Sequence, residues 1–159
     1  MFLGKGDEVL DQQGGTETVQ VAQPRVQFLQ GEDRLAAVRL SENGMLRWYA
    51  SCCNTPIGNT MANPKISFMG LIHASLDHAA MDKDFGTAIA ILNTDTALGE
   101  PKPTQRGLMK LLTRFLWIVV ATRITGRHKN SQLFNASGSP RVVPLVLTPQ
   151  ALAQLKSAK

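Results

Sequence analysis

The sequence predicts a mainly β, α+β chain, with one long helix in its C-terminal part and a short terminal helix. Three observations carry this prediction. The first hundred residues break into short alternating apolar runs separated by turn signals such as Gly14-Gly15, Pro24, Gly31-Glu32-Asp33 and Asn43-Gly44. Residues 104–124 repeat Leu108, Leu111, Leu112, Phe115, Leu116, Val119 and Val120 at helical spacing. Between the two regions the charge reverses. Residues 1–100 hold seven Lys/Arg against twelve Asp/Glu, a balance of −5, whereas residues 101–159 hold ten Lys/Arg and no acid, a balance of +10.

Taken in order, 16–22 alternates Val19 and Val21 with polar neighbours and reads as a strand. Residues 25–30, with Val26 and Phe28 on one face, read as a second. The run 34–40 points Leu35, Ala37 and Val38 inward, and Asn43-Gly44, whose residues tolerate positive φ, predicts a hairpin into 45–50. Residues 64–74 place Ile66, Phe68, Gly70 and Ile72 on one face and Met69 and Leu71 on the other, a strand buried on both sides. Ser75 is positioned to cap a short helix over 75–83. The near-continuous apolar run 86–93 fits either a central strand or a buried helical turn. Gly99-Glu100-Pro101-Lys102-Pro103 is a linker-like break. Thr104 is placed to cap the long helix, whose Arg106, Lys110 and Arg114 lie four apart on the face away from the apolar stripe. Residues 126–130 form a basic loop. The run 141–147 is a strand that Pro144 confines to a sheet edge. Thr148-Pro149-Gln150 opens the terminal helix with proline at its first position.

At 159 residues, 43% of them apolar, the chain has the size and composition of one globular domain over 1–159, with 101–159 as a basic extension packed on the β-rich 1–100. Two cysteines argue against a disulfide-stapled secreted scaffold, and the early charges Lys5, Asp7, Glu8 and Asp11 leave no signal core; the expected location is the cytoplasm. No transmembrane segment is expected, because the apolar run 115–121 is far below the roughly 20 residues that span a bilayer. The charge asymmetry implies either internal docking of opposite charges or an anionic partner. Nucleic acid is not the expected one, since the basic half interleaves only Phe115, Trp117 and Phe134 with its charges. Helix 104–124 has two readings: a core helix with its basic stripe in water, or an interfacial element on an anionic membrane with Trp117 at the headgroups. Asp77-His78, Asp82 and Asp84 make either a solvated acidic face or a metal-binding patch, His78 and Asp82 being one turn apart on a helix. Gly4-Lys5-Gly6 is too short for a phosphate cradle, and no P-loop, dinucleotide fingerprint or repeat occurs.

The most distinctive stretch is Arg47-Trp48-Tyr49-Ala50-Ser51-Cys52-Cys53-Asn54-Thr55-Pro56-Ile57-Gly58-Asn59-Thr60, an aromatic strand followed by a turn-like segment with both cysteines. It resembles the last zinc knuckle of the glutathione-dependent formaldehyde-activating (GFA-like, CENP-V-like) group. In particular it resembles a bacterial branch, the DUF6151-type proteins, which carry a similar Trp-Tyr-Ala-x-Cys-Cys-x-Thr-Pro-Ile-Gly-Asn-Thr segment. The resemblance spans residues 1–75, with its specific motif over 46–60. It implies an Mss4-like β-sheet scaffold and, near Cys52, Cys53, Asn54, Thr55 and Trp48, a ligand-binding region where relatives place zinc-dependent chemistry.

Measured against that family, the ligand set is depleted. A structural zinc wants four thiolates or imidazoles, and the family draws them from two N-terminal cysteine clusters and a later Cys-x-x-Cys. Here no cysteine precedes Cys52; Cys53 takes the second position of the late pair and Ala50 the first. No complete zinc site is expected in this chain alone, with Cys53 as the residual candidate ligand. Extended backbone would also send neighbouring side chains to opposite faces. His73, His78 and His128 are scattered. The expected function is therefore that of a zinc-free, non-catalytic binding module for a small molecule or a partner. The alternatives are a carbon–sulfur lyase acting on a thiol adduct, its missing zinc ligands coming from another subunit or an upstream segment, and a basic peripheral module binding anionic partners. Losing the strands that in the family precede the position of residue 1 would leave a sheet edge to be covered by the C-terminal half or by a homodimer, formed at that edge or through helix 104–124.

Overall fold

A computed structural model describes residues 4, 6–76, 81–86 and 90–157. After a short helix α1 (Gly6–Val9), the chain builds strands β1 (Thr18–Ala22), β2 (Leu35–Arg39), β3 (Leu46–Ala50), β4 (Thr55–Thr60) and β5 (Phe68–Ile72). The short helix α2 (Met81–Phe85), the long helix α3 (Leu108–Ile124), a two-residue strand β6 (Leu145–Val146) and the terminal helix α4 (Pro149–Ser157) follow. The six strands form one mixed sheet in the order β1-β5-β4-β3-β2-β6. Strands β2 to β5 are an antiparallel meander; β1 adds antiparallel to β5, and β6 adds parallel to β2, Val38 facing Leu145. The molecule is mainly β within an α+β whole, as expected.

Alternation along the strands divides the sheet into two faces. On one, Leu35 and Ala37 of β2, Leu46 and Trp48 of β3 and Met69 of β5 form the core, closed by Leu133 and Phe134 from the segment after α3. Val21, Val26, Phe28, Ile57, Leu71 and Val142 pack around it. On the other face α3 crosses β1 and β5. Its Phe115 ring meets Phe68 edge to face at 5.1 Å, and Gln20 Nε2 donates to Leu111 O at 3.5 Å. Burial of β5 on both sides follows from this layering.

Several local expectations are corrected. Residues 25–30 are not a strand: a 3₁₀ turn over Gln23–Arg25 precedes irregular backbone, where Phe28 N–H donates to Gln132 Oε1 at 2.7 Å instead of to a neighbouring strand. The β2–β3 connection turns over Ser41–Gly44, Gly44 N–H donating to Ser41 O, with neither Asn43 nor Gly44 at positive φ. The long helix begins at Leu108 rather than under a Thr104 cap. Arg106 exchanges two backbone hydrogen bonds of 3.0 Å with Ile91, which holds this segment extended, and Gly107 then turns at φ 75°. Ser75 ends a single 3₁₀ turn and donates through Oγ to Pro56 O at 2.8 Å, with Leu76 extended after it. Of the helix expected over 75–83, residues 77–80 lie outside the described residues, and Met81–Phe85 is helical. The 141–147 strand shrinks to Leu145–Val146, at the predicted sheet edge. In the apolar run 86–93, residues 87–89 lie outside the described residues; Ile91 makes the bridge to Arg106. Asp77 and His78 of the acidic cluster also lie outside them, and Asp84 is exposed. The terminal helix starts as expected: Pro149 is its first residue, and Ala151 N–H donates to Thr148 Oγ1.

Candidate functional site

The cysteines sit at the tip of the β3–β4 hairpin. Four exposed residues, Ser51 to Asn54, connect Ala50 to Thr55. Ser51 anchors one side, since both its N–H (2.8 Å) and its Oγ (2.9 Å) donate to Arg34 O at the start of β2. Asn54 completes the reversal at φ 58°, a left-handed conformation that asparagine tolerates better than most side chains. Because the pair lies on a turn, the alternation expected of extended backbone does not apply: Cys52 Sγ and Cys53 Sγ are 3.7 Å apart and both residues are exposed. Thr55 Oγ1 is 3.0 Å from Cys53 Sγ.

Trp48 stands apart from this tip. It is 1% exposed; its indole N–H donates to the buried Thr60 Oγ1 at 2.8 Å, and its ring meets Phe134 edge to face at 6.2 Å. Of the five residues expected to surround a ligand, Cys52, Cys53 and Asn54 therefore share one outward turn, Thr55 opens β4 beside it, and Trp48 belongs to the core. A cavity of about 470 Å³ lies at the opposite end of β2, between residues 40–42 and the start of α4. Burial lowers the pKa of the Arg47 guanidinium on β3.

A four-ligand zinc site does not fit here: among the described residues no three His, Cys, Asp or Glu side chains converge. His73 Nδ1 lies 3.4 Å from Glu17 Oε2, and His128 Nδ1 lies 3.3 Å from Thr122 O. Cys53 and Cys52 are the thiols at hand.

The second candidate surface is α3. Leu111, Phe115, Ile118, Val119 and Thr122 turn toward the sheet, half-buried or buried. The core-helix reading of 104–124 is corrected in part: Leu108, Leu112, Leu116 and Val120, which it would pack inward, are all exposed. The helix is apolar over a wider arc than the sheet covers. With Met109 (71% exposed), Trp117 (72%) and Ile124 (82%), they form an outer face that is mostly apolar, interrupted by the exposed Thr113 and Arg123. Lys110, Arg114 and Arg123 on the helix, and Arg127 and Lys129 in the turn after it, are exposed; Arg123 projects within this face, and Arg114 Nη2 donates to Gln20 O of β1 at 3.3 Å. The sequence signal that separates the two faces is weak, since Leu and Val occur on both. Among the described residues no helix is long and apolar enough to cross a membrane.

Comparison with curated proteins and with solved structures gives no match. A family model does match, over residues 1–141, and it takes in the cysteine hairpin and all of α3. The chain thus belongs to the family of unknown function DUF6151.

Proposed function

We propose that this protein is a non-catalytic binding module that docks on an anionic lipid surface through the outer face of α3. The observation that carries the reading is the exposed stripe of Met109, Leu112, Leu116, Trp117, Val120 and Ile124, set within a segment of ten basic and no acidic residues. Monomeric proteins rarely expose a contiguous apolar face of this kind without a partner for it. Helices that lie in the bilayer interface combine large apolar residues, often with tryptophan, and Lys/Arg at the border. Each basic residue near an anionic leaflet contributes about 1 kcal/mol. Buried apolar area adds about 25 cal/mol per Å².

Charge favours lipid over a second copy of the chain. A two-fold pairing along α3 would bring two basic helices together, and residues 101–159 contain no acid to offset their charge. Kinship with the GFA-like group belongs to this reading too, supported by the Trp48–Thr60 motif forming one strand–turn–strand unit. The lyase alternative would need zinc ligands from beyond the described residues of one chain.

The test is co-sedimentation with vesicles of phosphatidylcholine, with and without phosphatidylserine. Binding is expected only to the anionic vesicles and is expected to be lost in Leu116→Glu/Trp117→Glu, whose exposed positions leave the fold intact. Equal binding by that variant, or a dimer that forms through α3 and masks Trp117 without lipid, would refute the reading.

A further inference from the structure

The α3 face does not involve the cysteine tip, which has its own chemistry. We infer that Cys52 and Cys53 together form a two-thiolate site for a soft monovalent cation, Cu(I) being the species to test. Soft thiolate ligands select Cu(I), and two sulfurs satisfy it where zinc demands four ligands. The β3–β4 turn supplies two sulfurs 3.7 Å apart, on exposed side chains that an ion reaches without opening the fold. At a metal–thiolate length of roughly 2.3 Å, two sulfurs on opposite sides of one ion lie about 4.6 Å apart. A small rotation of either exposed side chain covers the difference.

Two further features favour this role. Neighbouring Cα atoms are about 3.8 Å apart, short of the roughly 4.4–6.8 Å usual for a disulfide, so the pair resists closing on itself and persists as a dithiol. Thr55 Oγ1, 3.0 Å from Cys53 Sγ, donates its hydroxyl proton to that sulfur once the sulfur is a thiolate and can only accept. Binding releases the two thiol protons to solvent and forms two copper–sulfur bonds with no change of oxidation state. Affinity therefore rises with pH.

The experiment titrates the full, reduced chain with Cu(I) without oxygen, against a chromogenic Cu(I) chelator. One ion per chain is expected, with affinity falling roughly a hundredfold or more in both Cys52→Ser and Cys53→Ser, each of which leaves one bond unmade. A single variant that keeps wild-type affinity overturns the proposal. Alkylation of the unmutated protein provides the check that needs no variant. Bound Cu(I) should protect both thiols, read by mass; protection of one thiol alone, or of neither, overturns it.

Discussion

The chain's two tryptophans separate the roles a large aromatic can take. Trp48 fills the core and spends its one donor on Thr60 Oγ1, whereas Trp117 stands in solvent. Trp48→Phe should cost about 2 kcal/mol in urea denaturation, because it thins the core and leaves the Thr60 hydroxyl buried without its donor. Gly58 makes a different demand. A Cβ there would lie 2.6 Å from Gly70 O and 2.7 Å from Met69 Cε, so Gly58→Ala should destabilise by about 1–3 kcal/mol through overpacking. An unchanged midpoint would contradict that contact. At this scale the sequence was partly readable. It marked the cysteine tip as the distinctive feature and grouped Trp48 with it by proximity along the chain. It did not show that a strand residue three positions before the turn is buried in the core.

Among the elements, β1 and β2 were legible because alternating apolar residues declare a half-buried face, β5 because its apolar residues fall on both faces, and β3 because a turn signal precedes it. Strand β4 was not, since Thr55-Pro56-Ile57-Gly58-Asn59-Thr60 has the composition of a turn. Tertiary structure accommodates each breaker: Pro56 pairs beside the register shift at Trp48/Tyr49, where the ladder is already irregular, and Gly58 permits the close approach of β5. Residues 25–30 failed the other way, their strand-like pattern serving to pack Val26 and Phe28 on the core from irregular backbone. Helix α3 was found by its periodicity, but its start was set by the Ile91–Arg106 bridge, a long-range pairing that no local capping signal reports. Its two apolar sides should differ in mutational cost. Phe115→Ala, facing Phe68, should destabilise by about 2–3 kcal/mol. Leu112→Ala, on the outer face, should change stability by no more than about 0.5 kcal/mol. Comparable losses at both sites in thermal unfolding would mean that the outer face is covered by the protein itself.

For the molecule as a whole, the reversal of charge at residue 101 gains a physical setting. The basic segment contributes both the edge strand β6 on β2 and the helix over β1 and β5, so it covers the acidic half while turning an apolar and basic surface outward. Among the described residues, Arg141 Nη1 lies 3.1 Å from Glu32 Oε1, an acid–base contact that joins the two halves. The basic residues exposed on and after α3, Lys110, Arg123, Arg127 and Lys129, face solvent and are open to an external partner. If that partner is an anionic leaflet, vesicle binding should weaken steeply with salt, as the screening length falls from about 10 Å at 0.1 M to about 3 Å at 1 M. Binding that persists unchanged at 1 M salt would assign it to the apolar stripe alone.

The most direct test uses the intrinsic fluorescence of the unmodified protein, since Trp48 is already buried and Trp117 carries the response. Titrated with phosphatidylserine-containing vesicles, the emission should shift to shorter wavelength and become shielded from an aqueous quencher, with no change on phosphatidylcholine alone. An emission and quenching profile that stays the same through the anionic titration would contradict insertion of α3 and with it the proposed function.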